Sequence, residues 1–280
     1  MTFSIVARSD DGQSWGVAVA SKFLAVGSVV PAAVAGLGAL ATQADANVAY
    51  KGQALAHLDE GATAQVALDR LLAEDEGRED RQVGIVGLDG DAATYTGRHC
   101  HEWAGGRTGP GFAVQGNILA GPEVVEAMTR AWQEDTSAPF ARRLLAALAA
   151  GDDAGGDRRG RQSAALLVVR DGAGYAGRDD LAVDLRVDDH TDPLAELARL
   201  LDLHQLHLTA STAAERVSVD PGLLGELEER AQSLGHDRFA AWVASENYEM
   251  RVAPGLAPEW IDVQVLEILR NATTTQGVQG

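Results

Sequence analysis

The mostly apolar runs over residues 2–7 and Trp15–Ser21 are strand-like, and the turn-rich Arg8-Ser9-Asp10-Asp11-Gly12 between them predicts a β-hairpin. A third apolar stretch, Val34–Thr42, reads as a strand and leads into helical patterns over 46–58 and 62–74. Val83–Leu88 and Ala92–Thr96 flank Asp89-Gly90-Asp91 as a second hairpin, and Gly111–Leu119 offers another strand. Helices are predicted over 122–133, where Pro122 suits the opening turn, and over 138–150; strands Ala164–Arg170 and Ala182–Val187 follow. The resulting order of strands, two helices, strands, two helices and strands lacks the β-α alternation of a doubly wound parallel sheet. It predicts an α+β fold of antiparallel sheets covered by helix pairs. One arrangement with this order is a four-layer α-β-β-α sandwich, two sheets face to face with helices on each outer face.

The pattern changes after Asp188-Asp189-His190-Thr191-Asp192-Pro193. From there the chain reads as helical over 193–208, capped by Asp192 with Pro193 in the first turn, then over 222–233, 236–246 and 260–270. The expected organisation is a sandwich domain over 1–190, a small helical domain over 191–271 and a disordered tail over 272–280.

Composition narrows the function classes. With 280 residues, 46% of them hydrophobic, the chain can build a sizeable core. The net charge of −18 repels phosphates and anionic lipid, so neither nucleic acid nor a membrane is an expected partner. No run of about 18 apolar residues exists, and Arg8, Asp10 and Asp11 interrupt any signal-like apolar region, so the sequence reads as cytoplasmic. The single cysteine, Cys100, excludes an internal disulfide framework. Lysines occur only at 22 and 51, which makes Lys22 conspicuous.

Thr2 stands immediately behind Met1 at the head of the first strand. Once Met1 is removed, as a small second residue generally permits, one residue carries a hydroxyl nucleophile and a free α-amine that titrates at about 8, near enough to neutrality to act as its base. Ser21 and Lys22 end the second strand, which a hairpin brings toward the N-terminus; a lysine there would favour a neutral amine and a more acidic hydroxyl. Around Gln43 and Asn47, small residues stand where a strand gives way to a helix, a place for backbone N–H groups to face an oxyanion. Gln115-Gly116-Asn117 and the Gly155–Ser163 segment, with Asp157, Gln162 and Ser163, place polar side chains beside glycines and could orient a polar substrate; as isolated patterns they also read as ordinary turns. His99-Cys100-His101 lacks a second cluster at ligand spacing, so neither metal nor another cofactor is expected. Cys100, with His99 or His101 as base, is a further candidate nucleophile.

Several segments together resemble the domain-of-unknown-function family numbered 1028, classed with the N-terminal nucleophile (Ntn) hydrolases. They are Met1–Ala7, Trp15–Phe23, Ala41–Ala44, Trp103–Gly105, Gln115–Gly121 and Ala154–Ala165, spread in order over roughly 1–208. The resemblance implies the α-β-β-α sandwich, with Thr2 as nucleophile and Ser21-Lys22 beside it. Which of Ser21, Lys22, Asp157 or Ser163 touches the amine it leaves open. It further implies cleavage of an amide C–N bond in a small-molecule or peptide-like substrate. The alternative is a non-catalytic protein that binds a ligand or cell-wall precursor on the same fold. The helical tail is similar to a peptidoglycan-binding domain, with Trp242, Glu246, Asn247, Glu249 and Arg251 in the matching stretch; a role in a homo-oligomer or in covering the site suits it equally.

Overall fold

The computed structural model describes residues 2–273, so Met1 and its removal, and residues 274–280 of the expected tail, lie outside the described residues. The N-terminal hairpin is β1 (Thr2–Arg8) and β2 (Ser14–Ser21), followed by the one-turn helix α1 (Val26–Val29), β3 (Pro31–Val34), β4 (Gly38–Ala44), α2 (Tyr50–Asp59) and α3 (Ala64–Glu74). Next come β5 (Arg81–Val86), β6 (Ala92–Thr96), β7 (Gly105–Gly109), β8 (Phe112–Asn117), α4 (Glu123–Glu134), α5 (Phe140–Asp153), β9 (Ser163–Arg170), β10 (Leu181–Val187) and α6 (Pro193–Leu208). The remainder holds β11 (Arg216–Ser218), α7 (Pro221–Ser233), α8 (Phe239–Ser245), β12 (Trp260–Asp262) and α9 (Val263–Asn271).

The fold is mixed α and β, with every pairing between these strands antiparallel. One sheet has six strands in the order β10-β9-β2-β1-β8-β7, and a second has four in the order β3-β4-β5-β6. β1 therefore lies in the interior of the larger sheet, hydrogen-bonded on both edges. Because side chains alternate along a strand, Phe3, Ile5 and Ala7 share one face of β1, and Thr2, Ser4 and Val6 share the other. Val6 packs with Val17 and Val19 from its own sheet and Ala39, Ala41 and Val86 from the smaller one. Helix α5 packs on β1, β2 and β9, and α4 on β7 and β8. On the smaller sheet, Leu40, Val83 and Ile85 meet Tyr50, Ala54, Leu58, Leu68 and Leu71 of α2 and α3. Each such fully buried aliphatic side chain contributes about 1.5–3 kcal/mol.

The structure differs from the sequence pattern in particular places. Val34–Thr42 is two strands, β3 and β4, separated at Gly36, whose φ of +68° a glycine adopts without strain. Pro31 is tolerated because β3 is an edge strand. Strand β7, Gly-Gly-Arg-Thr-Gly, carries no apolar signal; it forms by pairing with β8 along the other sheet's edge. Helix α2 begins at Tyr50 rather than 46, leaving Asp45–Ala49 as an irregular connection. The segment 260–270 starts as a strand: β12 pairs with β11, and the Asp262 carboxylate then caps α9 by accepting from Gln264 N at 2.8 Å.

The chain divides into two compact units, one reaching Leu200 and one beginning at Leu201, so the division falls inside α6 and the composition change at 188–193 precedes it. In the second unit Leu227, Phe239, Trp242, Ile261 and Leu269 form the core. Arg251 is buried there, donating to Asp262 at 2.9 Å and to the Gln205 and Leu206 carbonyls. Trp242 and Arg251 are thus parts of a packed interior, while Glu246, Asn247 and Glu249 are exposed.

Candidate functional site

Thr2 opens β1 and is 6% exposed. Its neighbours are fixed by register: Asn117 of β8 pairs with it, and Phe3 pairs with Ala20, which brings Ser21 alongside. Thr2 Oγ1 lies 3.1 Å from Ser21 Oγ, and the Thr2 carbonyl accepts from Gln43 Nε2 at 3.2 Å. A strand interior to a sheet, clamped at its first residue by two side chains, holds a hydroxyl in one place.

Thr2 lines a cleft of about 260 Å³ together with Phe23, Val26, Val29, Val30, Gln43 and the Ala44-Asp45-Ala46 turn. Two parts of this lining are held from a distance. The segment from Lys22 to Val26 is tied down by Asp157, whose Oδ2 accepts from Lys22 N at 2.7 Å, and by Ser163, whose Oγ donates to Phe23 O and accepts from Val26 N at 3.1 Å. Asp157 and Ser163 are both buried. Gly155 and Gly156, at φ of +113° and +47°, turn the chain so that Asp157 reaches this position. The turn after β4 is held by Arg81, which donates to Asp45 O at 2.8 Å and to Asp75 Oδ2 at 2.9 Å. The Asp75 carboxyl is held well below the usual carboxylate range, chiefly by the Arg81 guanidinium and also by Tyr50, Asn47 and Gly77 N–H.

Beneath Thr2 lies a polar layer between the sheets. Ser4 Oγ donates to Gln43 Oε1 at 2.7 Å and accepts from Gln115 Nε2 at 2.6 Å. Gln82 Oε1 accepts from Gln43 Nε2 at 2.8 Å and from Asn117 Nδ2 at 2.9 Å, and Gln82 Nε2 donates to Gly116 O at 2.8 Å. All five side chains are at most 2% exposed. Buried amides are tolerated only when hydrogen-bonded, and here each answers another. Gly84 supplies the space: a Cβ there would collide with the Gln115 carboxamide.

On the other side of the Ala44-Asp45 turn a second cavity, about 300 Å³, is lined by Asp80, His99, Cys100, His101, Asn117 and Ile118. Burial pushes the Cys100 thiol up, and its Sγ donates to Arg81 O at 3.4 Å. A protonated, hydrogen-bonded thiol is a poor nucleophile. His99 Nδ1 lies 3.2 Å from Asp80 Oδ1. Among the described residues, no three His, Cys, Asp or Glu side chains are grouped to hold a metal ion. Two non-glycine residues in the left-handed region line this cavity, Ala44 (φ +70°) and Ile118 (φ +51°). Each such backbone costs about 1–3 kcal/mol and persists where the surroundings impose it, commonly at functional sites.

Of the residues singled out in the sequence, Thr2, Ser21 and Gln43 meet directly, and Asp157 and Ser163 act on the cleft through the backbone of its wall. Gln115 and Asn117 belong to the polar layer, Asn117 also lining the second cavity. Lys22 does not line the cleft; its side chain is exposed and Nζ donates to Arg161 O at 3.2 Å. Asn47 supports the turn by donating to Asp75, and Gln162 donates to Asp189 at 3.1 Å. The Asp45 N–H is engaged by Asp80 O at 3.2 Å. Ser4 and Gln82 escaped the sequence reading, although Ser4 shares the face of Thr2 two residues on, an available signal for a polar residue inside an otherwise apolar strand.

A protein-family model described as a family of unknown function, DUF1028, matches residues 2–197. A crystal structure from Silicibacter pomeroyi assigned to the same family superposes with a TM-score of 0.66 and 32% sequence identity, covering 73% of this chain and 89% of that one. No curated protein matches the chain.

Proposed function

The chain belongs to the DUF1028 family, and we propose that it is an N-terminal nucleophile hydrolase that cleaves an amide C–N bond with Thr2 after loss of Met1. The two facing sheets and their helix pairs are read as the four-layer α-β-β-α sandwich of that superfamily. The observation that carries the proposal is the placement of Thr2: first residue of an interior strand, lining a cleft, with its hydroxyl 3.1 Å from Ser21 Oγ.

In the reaction Thr2 Oγ1 attacks the amide carbonyl while its proton passes to the Thr2 α-amine, forming a C–O bond. Collapse of the tetrahedral intermediate breaks the C–N bond, and the departing amine takes that proton. Water then attacks the ester, the C–O bond to Thr2 breaks, and an acid is released. Ser21 Oγ orients the Thr2 hydroxyl. Gln43, bonded to Thr2 O, fixes the residue's backbone. Asp157 and Ser163 are positioning residues for the segment that carries Phe23 and Val26. No residue in this scheme requires a cofactor. Cys100 is set aside as the nucleophile because its thiol is raised and lies in the neighbouring cavity.

An amide library assayed with Met1-free protein tests the reading. Thr2→Ser should retain part of the turnover, keeping hydroxyl and amine, and Thr2→Ala should lose it by at least about 10³-fold without unfolding. Equal turnover by wild type and Thr2→Ala would contradict the proposal.

A further inference from the structure

Thr2 stands at the wall between two cavities of different chemistry. Ala44 and Asp45 line both, Thr2 opens to one, and its register partner Asn117 opens to the other. On the Thr2 side, Phe23, Val26, Val29 and Val30 form an apolar wall, and the one charged lining residue among those described, Asp45, is paired with Arg81 at 3.0 Å. On the Asn117 side the lining is polar, with Asp80, His99 and His101.

Resting on the hydrolase reading, we propose that the substrate joins an uncharged, short aliphatic or aromatic acyl group to a polar amine. The acyl group occupies the Thr2 cleft and the amine leaves through the Asn117 cavity. The assignment of sides follows from bonding. In the ester intermediate the acyl carbon is attached to Thr2 Oγ1, so the acyl chain lies in the space that Thr2 lines, and the amine departs where the acyl chain is not. Size suits a short chain: a cavity of about 150 Å³ accommodates a benzene-sized group, so about 260 Å³ admits a short acyl group. Charge sets the polarity. Among the described residues no cationic side chain lines the cleft, so a carboxylate on the acyl group would meet Asp45 and four apolar side chains, in a protein of net charge −18.

The test uses protein shown by intact mass to lack Met1, incubated with 4-nitrophenyl acetate, 4-nitrophenyl hexanoate and the mono-4-nitrophenyl ester of glutaric acid. Release of nitrophenol gives the rate and peptide mapping locates the adduct. The hexanoyl ester should acylate Thr2 at least about tenfold faster than the acetyl ester, with the glutaryl ester slowest. Phe23 is 51% exposed, so Phe23→Arg makes little demand on the core; it should raise the glutaryl rate relative to the hexanoyl rate by about tenfold. For the leaving side, N-hexanoylethanolamine should be hydrolysed about tenfold faster than its near-isostere N-hexanoylpropylamine. Thr2 adducts forming equally from all three esters, or fastest from the glutaryl ester, would overturn the acyl assignment while leaving the nucleophile standing. So would an unchanged ratio in Phe23→Arg. Equal or reversed rates for the two amides would overturn the leaving-side assignment. No adduct at Thr2 from any ester would remove the hydrolase reading itself.

Discussion

The contact between Thr2 Oγ1 and Ser21 Oγ joins two strand ends at 3.1 Å, and its consequences for the proposed chemistry are separable from folding. Ser21→Ala should lower the rate of Thr2 acylation by roughly 10²-fold. The same change should alter the unfolding free energy by only about 1 kcal/mol, as read by denaturant titration beside the acylation assay. Thr2 and Ser21 were legible in the sequence because each sits at the end of a strand in one predicted hairpin. Asp157 and Ser163 were recognisable as polar residues beside glycines, but their task was not. They bond the backbone of Lys22, Phe23 and Val26 across more than 130 positions of chain, and no spacing rule reports a side chain that serves another segment's main chain. Lys22 shows the converse. Its rarity drew attention to its charge, whereas the structure uses its N–H at Asp157 and leaves its ammonium at the Arg161 carbonyl.

At the scale of elements, the polar layer sets the spacing between β1, β4, β5 and β8. Gly84→Ala tests how rigid it is. The added methyl meets the Gln115 carboxamide, which is hydrogen-bonded to Ser4 and fully buried, so the layer cannot yield without breaking bonds. A loss of about 1–3 kcal/mol in unfolding free energy is expected, measured by chemical denaturation. The turn beyond β4 has its own acid sensitivity through Asp75. A carboxyl whose pKa is depressed in the fold binds its proton more weakly there than in the unfolded chain. The stabilisation is therefore complete above the unfolded value of about 3.9 and is lost as pH falls below it toward the folded value. Thermal unfolding should accordingly show a fall in Tm below about pH 4 that is shallower in Asp75→Asn. Element order and most strands were readable from periodicity. What periodicity could not show were β7, whose glycines carry no pattern, and the β3–β4 division, where two short strands share one apolar run.

For the molecule as a whole, the two sheets meet through an apolar cluster at one end of β1 and a polar layer at the other. The apolar part supplies burial; the polar part brings the chain's first strand to the edge of a cleft in a single register. The family match covers 2–197, and the residues that build the candidate site all lie within it. The antiparallel character and the pairing of helices with sheets followed from element order alone, because that order excludes a parallel doubly wound sheet. The two cavities did not, since they are lined by turns drawn together from β4, β8 and the segment after β2. Whether Thr2 is the nucleophile is decided by treating wild type, Thr2→Ser and Thr2→Ala with a β-lactone, after intact mass has established the N-terminus, and mapping the acylated residue. A Thr2 nucleophile requires loss of Met1, one acyl group on Thr2 of the wild type, slower acylation in Thr2→Ser and none in Thr2→Ala. Retention of Met1, labelling at Cys100, or equal labelling of Thr2→Ala would contradict it.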